Sequence, residues 1–259
     1  MRLTVLGCSG SGPGPRSPAS GYLVQAGNTA IVLDLGNGTF GPLQRYIDPF
    51  NLNAVLLSHL HADHCADVTA LINYRRYHPR PPSDASSRRP LILASEGAFE
   101  RLAGLHAPSA AARSDADFSD VLELQVIEDG SIVHFGSVRV TVSQLDHPGG
   151  SFGFRLESGG RTLVFTGDTG PTDRLIELSH NADVLLCEAS WPHSAEKKSP
   201  VTMHLTGLQA GEYAAAAKVG KLLLTHVLMW FDEDALLSEA RETFNGIVHL
   251  AQAGQQFEI

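Results

Sequence analysis

Short apolar runs, separated by glycine, proline and polar turns, divide the chain into many predicted strands. Most runs have the length and the β-branched content that strands usually show. The predicted strands are 3–6, 22–26, 30–35, 54–57, 91–93, 121–127, 131–135, 138–144, 151–156, 162–165, 184–187, 222–224 and 247–250. The pairs Gly27-Asn28 and Gly149-Gly150 favour tight turns between neighbouring runs.

Between these strands, apolar residues recur at the spacing of amphipathic helices. Val68, Leu71 and Ile72 show this spacing within the segment 63–77. The predicted helices are 41–47, 63–77, 96–102, 172–178, 208–219 and 233–244. The chain shows no repeat, and the proline- and serine-rich stretch 79–90 is too short to link two domains. The pattern therefore predicts one domain, residues 1–259, in which layered sheets are covered by helices.

The composition places the chain among globular proteins that work away from nucleic acid and membranes. Hydrophobic residues make up 43% and charged residues 18%, which excludes a disordered acidic tail. The formal net charge of −9 is opposite to that of proteins that coat nucleic acid. No apolar run approaches the roughly 18 residues of a membrane span, and no signal peptide is recognisable. The 3 cysteines lack a CxxC spacing, so we expect a reduced, cytoplasmic protein.

The 12 histidines change this picture, because several of them follow predicted strands. The strand 54–57 runs into His59, His61, Asp63 and His64, four candidate metal ligands within six residues. His59 and His61 lie on one side of an extended backbone and can bind one ion, whereas Asp63 and His64 can bind a second. A single histidine here is usually a hydrogen-bonded core residue, but a cluster of imidazoles and a carboxylate favours metal binding.

Three further candidate ligands follow other predicted strands: His147, Asp168 and His226. Nearby glycines let the backbone approach closely around Asp168. The two oxygens of this carboxylate can bridge two cations, as two adjacent sites require. Taken alone, Asp168 is better explained as a turn residue or a helix N-cap. The presence of similar ligands at other strand ends favours the metal site.

In their order along the chain, these seven residues resemble the dinuclear metal signature of the metallo-β-lactamase superfamily. The resemblance covers residues 1 to about 250 and implies an α/β fold, a four-layer αββα sandwich with two divalent metal ions at the mouth between its sheets. It assigns three ligands to each ion and one bridge: His59, His61 and His147; Asp63, His64 and His226; and Asp168. It also implies that Asp34 fixes a loop and is not a ligand.

Two motifs narrow the resemblance to the ribonuclease Z-like branch of the superfamily. Glu188-Ala189-Ser190 resembles its acidic motif and His204-Leu205-Thr206 its His-Ser-Thr motif, which lie beside the phosphate of the substrate. A helix cap at Thr206 beside a loop histidine is the alternative explanation. The tRNA-processing ribonuclease Z enzymes carry a protruding RNA-binding arm near the motif that His147 matches. Here only 21 positions separate His147 from Asp168, and a predicted hairpin fills them, which leaves no room for such an arm. The overall layout, including the segments 7–11, 58–65, 167–170 and 187–191, more closely resembles the bacterial atypical class II cyclic-nucleotide phosphodiesterases.

This resemblance implies hydrolysis of 3′,5′-cyclic nucleotides, with cAMP expected, by a hydroxide that bridges the two metals. Two divalent cations, two aspartates and a hydroxide leave a charge of about +1, which suits a phosphodiester anion. His204, oriented by Glu188, is the candidate proton donor to the leaving alkoxide and contacts the substrate. The candidate catalytic residues are thus Asp63, Glu188 and His204. Zn²⁺ suits the nitrogen-rich first site, and Mn²⁺ or Fe²⁺ are alternatives at the second.

Two other functions remain open: an RNA 3′-end endonuclease, which the negative charge disfavours, and a non-catalytic metal-binding scaffold. We expect a small anionic phosphodiester as partner, no stable nucleic-acid or membrane partner, and a homodimer only by resemblance. The glycine-rich stretch 7–14 lacks the Gly-Lys-Ser/Thr end of a phosphate loop, which predicts a tight loop under the site. The arginine-rich stretch 75–89 is predicted to be a solvated face, with an anion-attracting rim as the alternative.

Overall fold

The computed structural model describes residues 1–196 and 203–259 of the chain. The strands are β1 (Arg2–Gly7), β2 (Ser9–Gly10), β3 (Gly21–Ala26), β4 (Thr29–Leu35), β5 (Ala54–Leu56), β6 (Leu91–Ala94), β7 (Glu123–Val126), β8 (Ile132–Phe135), β9 (Val138–Leu145), β10 (Ser151–Ser158), β11 (Arg161–Phe165), β12 (Val184–Glu188), β13 (Lys221–Thr225), β14 (Val227–Leu228), β15 (Ile247–Leu250) and β16 (Gln256–Glu258). The helices are α1 (Phe40–Leu43), α2 (Ala62–Cys65), α3 (Val68–Tyr77), α4 (Ala98–His106), α5 (Ala110–Arg113), α6 (Asp173–Ser179), α7 (His193–Glu196), α8 (Gly207–Ala216) and α9 (Glu233–Thr243).

The strands form two seven-stranded sheets and one small ladder. The first sheet has the order β16-β1-β3-β4-β5-β6-β7, and the second has the order β15-β13-β12-β11-β10-β9-β8. Each sheet is built from one half of the chain, except that β16 returns to pair with β1. Strands β4, β5 and β6 are parallel in the first sheet, as are β11, β12 and β13 in the second. Their carboxyl ends therefore meet at one edge of each sheet.

Alternation of side chains along the strands creates three hydrophobic layers. Leu33 and Leu186 face each other's sheets in the layer between them, whereas Val32 and Leu185 point outward. Helices α3 and α4 cover the outer face of the first sheet, and α6, α8 and α9 cover that of the second. Because the central strands are buried on both faces, they consist of almost continuous apolar residues. The predicted four-layer αββα sandwich is thus confirmed.

The predicted helix over 63–77 is two helices in the structure. The chain steps sideways between α2 and α3, where the Asp67 backbone N–H donates to the carbonyl of Leu35. The Asp67 carboxylate accepts a hydrogen bond from the backbone N–H of Phe40 at 2.8 Å. These bonds to another part of the chain replace helical ones, which periodicity alone does not reveal. The predicted cap at Thr206 is present, in a capping box with Gln209.

The arginine-rich stretch is not a solvated face throughout, and that prediction is wrong for Arg75. This side chain is buried, and its guanidinium donates to the backbone carbonyls of Val121, Pro49, Ala85 and Arg88. Five fixed donors make arginine well suited to hold several loop carbonyls together. Its neighbours form ion pairs at the surface, which join Arg76 to Asp120, Arg88 to Asp84 and Arg89 to Glu123.

No helix among residues 1–196 and 203–259 combines the length and the apolar character needed to cross a membrane.

Candidate metal centre

Each candidate ligand lies just beyond the carboxyl end of a strand. β5 of the first sheet leads into the segment 58–64, and α2 begins within that segment. In the second sheet, β9, β11 and β13 lead into His147, Asp168 and His226. Because these strand ends converge at the mouth of the sandwich, residues far apart in sequence meet there. The structure brings all seven candidate ligands together in two adjoining groups.

The group assigned to the second ion has the spacing of a tetrahedral site. His64 Nε2 lies 3.2 Å from His226 Nε2, and each of these nitrogens lies 3.3 Å from Asp63 Oδ2. Asp168 Oδ1 lies 3.3 Å from His64 Nε2 and 3.4 Å from His226 Nε2. Ligand atoms about 2.0–2.1 Å from a tetrahedral zinc ion are spaced about 3.3 Å apart. The donor atoms and their spacing therefore fit a divalent cation.

The group assigned to the first ion consists of three imidazoles and the same aspartate. His59 Nε2 lies 2.9 Å from His61 Nδ1 and 3.7 Å from Asp168 Oδ2. The ring of His147 lies 4.8 Å from that of His59 and 5.3 Å from that of His61, measured between centroids. One ligand atom from each of these four residues falls within 4.8 Å of the others. The group is nitrogen-rich, as the sequence predicts.

Asp168 faces both groups with different oxygens. Its Oδ1 points to His64 and His226, and its Oδ2 lies nearest to His59 among the imidazoles of the first group. The residue is only 2% exposed, and its Oδ1 forms no hydrogen bond within the described part of the chain. His147 Nδ1 is likewise buried without a hydrogen-bond partner among those residues. Buried polar atoms are rarely left unpaired, so these atoms fit a site that a cation completes.

A buried carboxylate, Asp34, holds two of the imidazoles. It accepts hydrogen bonds from His64 Nδ1 at 2.7 Å and from the Ser58 hydroxyl at 2.8 Å. Ser58 Oγ also lies 3.1 Å from His59 Nδ1. Because the hydroxyl donates its only proton to Asp34, it must accept from His59. Both imidazoles thus carry their proton on Nδ1 and direct the Nε2 lone pair into the cluster, as metal ligands require.

Glu188 forms a second arrangement of the same kind on the opposite side. It accepts a hydrogen bond from the Ser190 hydroxyl at 2.8 Å, and Ser190 Oγ lies 3.0 Å from His226 Nδ1. The same reasoning places the proton of His226 on Nδ1. His204 Nδ1 lies 3.1 Å from both oxygens of Glu188. One carboxylate therefore orients a candidate ligand through a serine and the candidate proton donor directly.

The two serines predict separate effects on the two ions. Ser58→Ala removes the acceptor for His59 and should weaken binding at the first site, whereas Ser190→Ala should weaken the second. Loss of such an orienting partner lowers metal affinity by about 10–100-fold. Competition with a chromophoric chelator would measure this, and anomalous scattering would show which position loses occupancy. Equal losses at both positions in both variants would contradict the assignment; Ser179→Ala, a buried serine in α6, is the matched control.

The pKa values of these groups follow from burial and neighbouring carboxylates. Burial lowers the pKa of His59 and of His147, which favours the neutral imidazole that binds metal. Burial also opposes the charged form of His204, but Glu188 outweighs it and raises the pKa of His204 to about 9. Burial raises the pKa of Asp34, against the bonds from His64 and Ser58.

His204 lies at the border between the metal cluster and the mouth of the sandwich. Its side chain is 10% exposed, and its ring lies 5.0 Å from the ring of Trp191 at an angle of 86°. On the other side it stacks on His226 with centroids 5.4 Å apart. A ligand atom of His204 also falls within 4.8 Å of Asp168 and His226. Its Nδ1 faces Glu188, which leaves Nε2 for a substrate.

Sequence reasoning missed the roles of Ser58, Ser190 and Trp191. Ser58 directly precedes His59, and Ser190 is the third residue of the acidic motif. Both lie within recognised motifs, but the sequence assigned neither of them a function. A hydroxyl next to a ligand becomes informative only once a buried carboxylate is known to lie behind it. The sequence alone placed Glu188 beside His204 but did not connect it to His226.

The comparisons with known proteins agree with this geometry. The family described as "Beta-lactamase superfamily domain" matches residues 29–227, more than half of the chain. Uncharacterized protein ML1173 of Mycobacterium leprae is 44% identical, over 100% of this chain and 89% of that protein. Ribonuclease Z of Haloferax volcanii is 27% identical, over 100% of this chain and 95% of that protein. The crystal structure of the metallo-beta-lactamase fold protein YhfI from Bacillus subtilis superposes with a TM-score of 0.83, at 27% identity and 99% coverage of both chains.

Proposed function

Since the chain belongs to the beta-lactamase superfamily, we propose that it is a metal-dependent phosphodiesterase that hydrolyses 3′,5′-cyclic nucleotides to 5′-nucleotides. The observation that supports the proposal is the double cluster, with Asp168 facing both groups, beside the His204–Glu188 pair. Two adjoining cation sites would suit an in-line displacement at phosphorus, in which a water oxygen bonds to phosphorus on one side and one ester oxygen leaves on the opposite side. His204 is not one of the seven candidate metal ligands, so it is available to donate a proton to the leaving oxygen.

The charge of the cluster supports an anionic substrate. When bound, two divalent cations would lower the pKa of a bound water and neutralise charge on the phosphate. Asp63 and Asp168 contribute one negative charge each, which leaves the loaded site positive. Asp63 is 13% exposed at its side chain, against 3% for Asp168, so its second oxygen can accept a hydrogen bond from the attacking water.

His204 supplies the proton that the leaving O3′ requires. Glu188 holds its Nδ1–H and stabilises the imidazolium, so Nε2–H can face the ester oxygen. The backbone N–H of Thr169 and that of Leu205 also donate to Glu188, which fixes the carboxylate. Trp191 packs edge to face on the ring of His204 and limits its rotation. The proton donor is thus positioned before the substrate binds.

The segment between His147 and Asp168 favours a small substrate over RNA. Residues between His147 and Asp168 form the hairpin of β10 and β11, which is part of the second sheet and does not project from it. We propose Zn²⁺ at the nitrogen-rich first site, with Zn²⁺, Mn²⁺ or Fe²⁺ at the second. The ligand is a cyclic nucleotide, and cAMP is the compound to test first.

An RNA 3′-end endonuclease is the second candidate function. The specific observation in its favour is the 27% identity to the ribonuclease Z of Haloferax volcanii over 100% of the chain. The segment between His147 and Asp168 contains no projecting arm, and the net charge of the chain is −9. Nucleic-acid binding depends on cationic contacts to phosphates, so this balance disfavours it.

The decisive experiment compares three substrates with the metal-loaded protein. We expect kcat/KM for cAMP to exceed that for bis(p-nitrophenyl) phosphate by at least about tenfold, since the enzyme gains binding energy from the nucleoside. The product should be 5′-AMP, because the bond to O3′ breaks. Cleavage of a tRNA precursor without turnover of cAMP would favour the second candidate. Two bound metals with no turnover of any of the three would indicate a scaffold.

A further inference from the structure

Two buried hydroxyl groups, the Tyr22–Thr225 hydroxyl pair, join the two sheets on the core side of the metal cluster. Tyr22 lies in β3 of the first sheet and Thr225 in β13 of the second. Their hydroxyl oxygens lie 2.6 Å apart, and neither residue is more than 1% exposed. In the part of the chain that the structure describes, no other hydrogen bond between two buried side chains connects the sheets outside the cluster.

On the first sheet, Tyr22 lies next to residues that position two candidate ligands of the second ion. Its partner on β4 is the residue before Asp34, and Asp34 accepts the hydrogen bond from His64 Nδ1. Two residues before Tyr22, the backbone N–H of Ser20 donates to the carbonyl of Asp63 at 3.1 Å. The start of β3 is therefore bonded, directly or through β4, to both first-sheet ligands of this ion.

On the second sheet, the hydroxyl pair lies beside the strands that carry the other candidate ligands of the same ion. Thr225 is the last residue of β13 and directly precedes His226. The ring of Tyr22 packs on that of Phe165, with centroids 5.2 Å apart. Phe165 is the last residue of β11, three positions before Asp168. One side chain of the first sheet thus contacts both of these second-sheet strands where they end.

The spacing of these ligands depends on how the two sheets lie against each other. His64 Nε2 comes from the first sheet and His226 Nε2 from the second, and they lie 3.2 Å apart. Apolar contacts between the sheets are not directional, so by themselves they resist a small sliding of one sheet over the other only weakly. A hydrogen bond between two hydroxyls has a preferred length of about 2.5–3.0 Å and a preferred direction. A bond of this kind next to His226 therefore restricts the sliding where the ligands meet.

We propose that the hydroxyl pair is a positioning element that holds the ligands of the second ion in place across the two sheets. The inference rests on the metal dependence in the proposed function, but not on its substrate. The first ion should depend on the hydroxyl pair less, since Thr225 adjoins His226, which belongs to the group of the second ion only. Burial raises the pKa of Tyr22, so its hydroxyl keeps its proton near neutral pH.

The test compares three variants of the hydroxyl pair with one control. Tyr22→Phe and Thr225→Val each keep the shape of the side chain but leave the other hydroxyl buried and unpaired, which costs stability. The double variant removes both hydroxyls and should regain most of that stability, because replacing both partners by apolar groups of the same shape is nearly neutral. Thr29→Val is the matched control. The Thr29 hydroxyl also joins the sheets, by donating to the Phe135 carbonyl at 3.2 Å, but it lies at the opposite end of β4 from Asp34.

We expect the two single variants and the double variant to bind the second ion about tenfold more weakly, the lower end of the effect of losing an orienting partner. Affinity for the first ion should stay within about twofold, and Thr29→Val should leave both affinities within that range. Competition with a chromophoric chelator measures the affinities. The visible absorption of the Co²⁺-loaded protein should change in the three variants and not in the control, because it reports ligand geometry. Thermal unfolding of the metal-free proteins measures their stability.

The double variant separates positioning from packing. A tenfold loss of affinity at near wild-type stability of the metal-free protein would support the proposal. If the affinity recovers together with the stability, or if Thr29→Val weakens the second ion equally, the hydroxyl pair only stabilises the core and the proposal is wrong. A wild type that binds fewer than two ions would overturn the inference together with the metal dependence on which it rests. Turnover of cAMP does not enter the measurement, so the affinities decide the inference even if another phosphodiester proves to be the substrate.

Discussion

Replacing Asp168 with alanine should empty both metal sites and reduce turnover by at least about 10³-fold. The residue is the only member shared by the two groups of candidate ligands, and its two oxygens face different imidazoles. Removing it takes one candidate ligand from each ion and leaves the three imidazoles of the first group, His59, His61 and His147, without a carboxylate among them. Metal content per chain, measured by mass spectrometry after dialysis, should fall from two equivalents to well below one. Thermal stability should fall with it, because a ligand that binds only the folded state stabilises that state.

Asp146→Ala is the matched control for this prediction. Asp146 is an exposed aspartate that directly precedes His147 at the same mouth, so its loss tests the effect of removing any carboxylate there. It should retain both ions and most activity. Two equivalents of metal bound to the Asp168 variant would overturn the bridging assignment.

His204→Ala should retain both ions but lower kcat for cAMP by about 10²–10⁴, the usual contribution of a general acid. The leaving O3′ is a poor leaving group that requires a proton. A p-nitrophenyl phosphodiester leaves without one and should lose much less activity. The contrast between the two substrates is the informative quantity, since both use the same cations. Loss of metal, or equal slowing of both substrates, would instead make His204 a ligand or a phosphate-binding group.

Glu188→Gln extends the same test, because Glu188 serves two histidines. The glutamine can no longer stabilise a charged His204, and it also weakens the bond through Ser190 to His226. We therefore expect the leaving-group contrast of the His204 variant together with a lower affinity for the second ion. His249→Ala, an exposed histidine in β15, controls for the removal of an imidazole that faces away from the cluster.

Much of the candidate site was predictable because the relevant interactions are local or are set by parallel strands. Alternation along an extended chain places His59 and His61 on one side, and this follows from two-residue periodicity alone. The convergence of His147, Asp168 and His226 follows from apolar runs that end in polar residues, since parallel strands end together. The layering of sheets covered by helices was predictable from the pattern of short strands and amphipathic helices, whereas the four-layer αββα sandwich was implied only by the family resemblance.

The remaining features depend on contacts that no local pattern encodes. β2 and β14 are two residues long, and they pair only because His226 turns the chain toward Gly10. Arg75 is buried because carbonyls from distant loops surround it, and a run of arginines gives no sign of this. The hydroxyls of Ser58 and Ser190 acquire a role only when Asp34 and Glu188 are brought behind them by folding.

The division of the two sheets between the two halves of the chain governs when the cation sites can form during synthesis. The ribosome releases the first sheet with His59, His61, Asp63 and His64 before any of the ligands from the second sheet exists. A nascent chain at that stage carries an incomplete set of ligands that binds metal weakly and without selectivity. The edge of β1 also stays open until the last strand, β16, has been made, and an open edge invites pairing with other chains. Metal uptake therefore follows the synthesis of the second sheet, and a chain that lacks β16 would leave the edge of β1 open and be prone to aggregation.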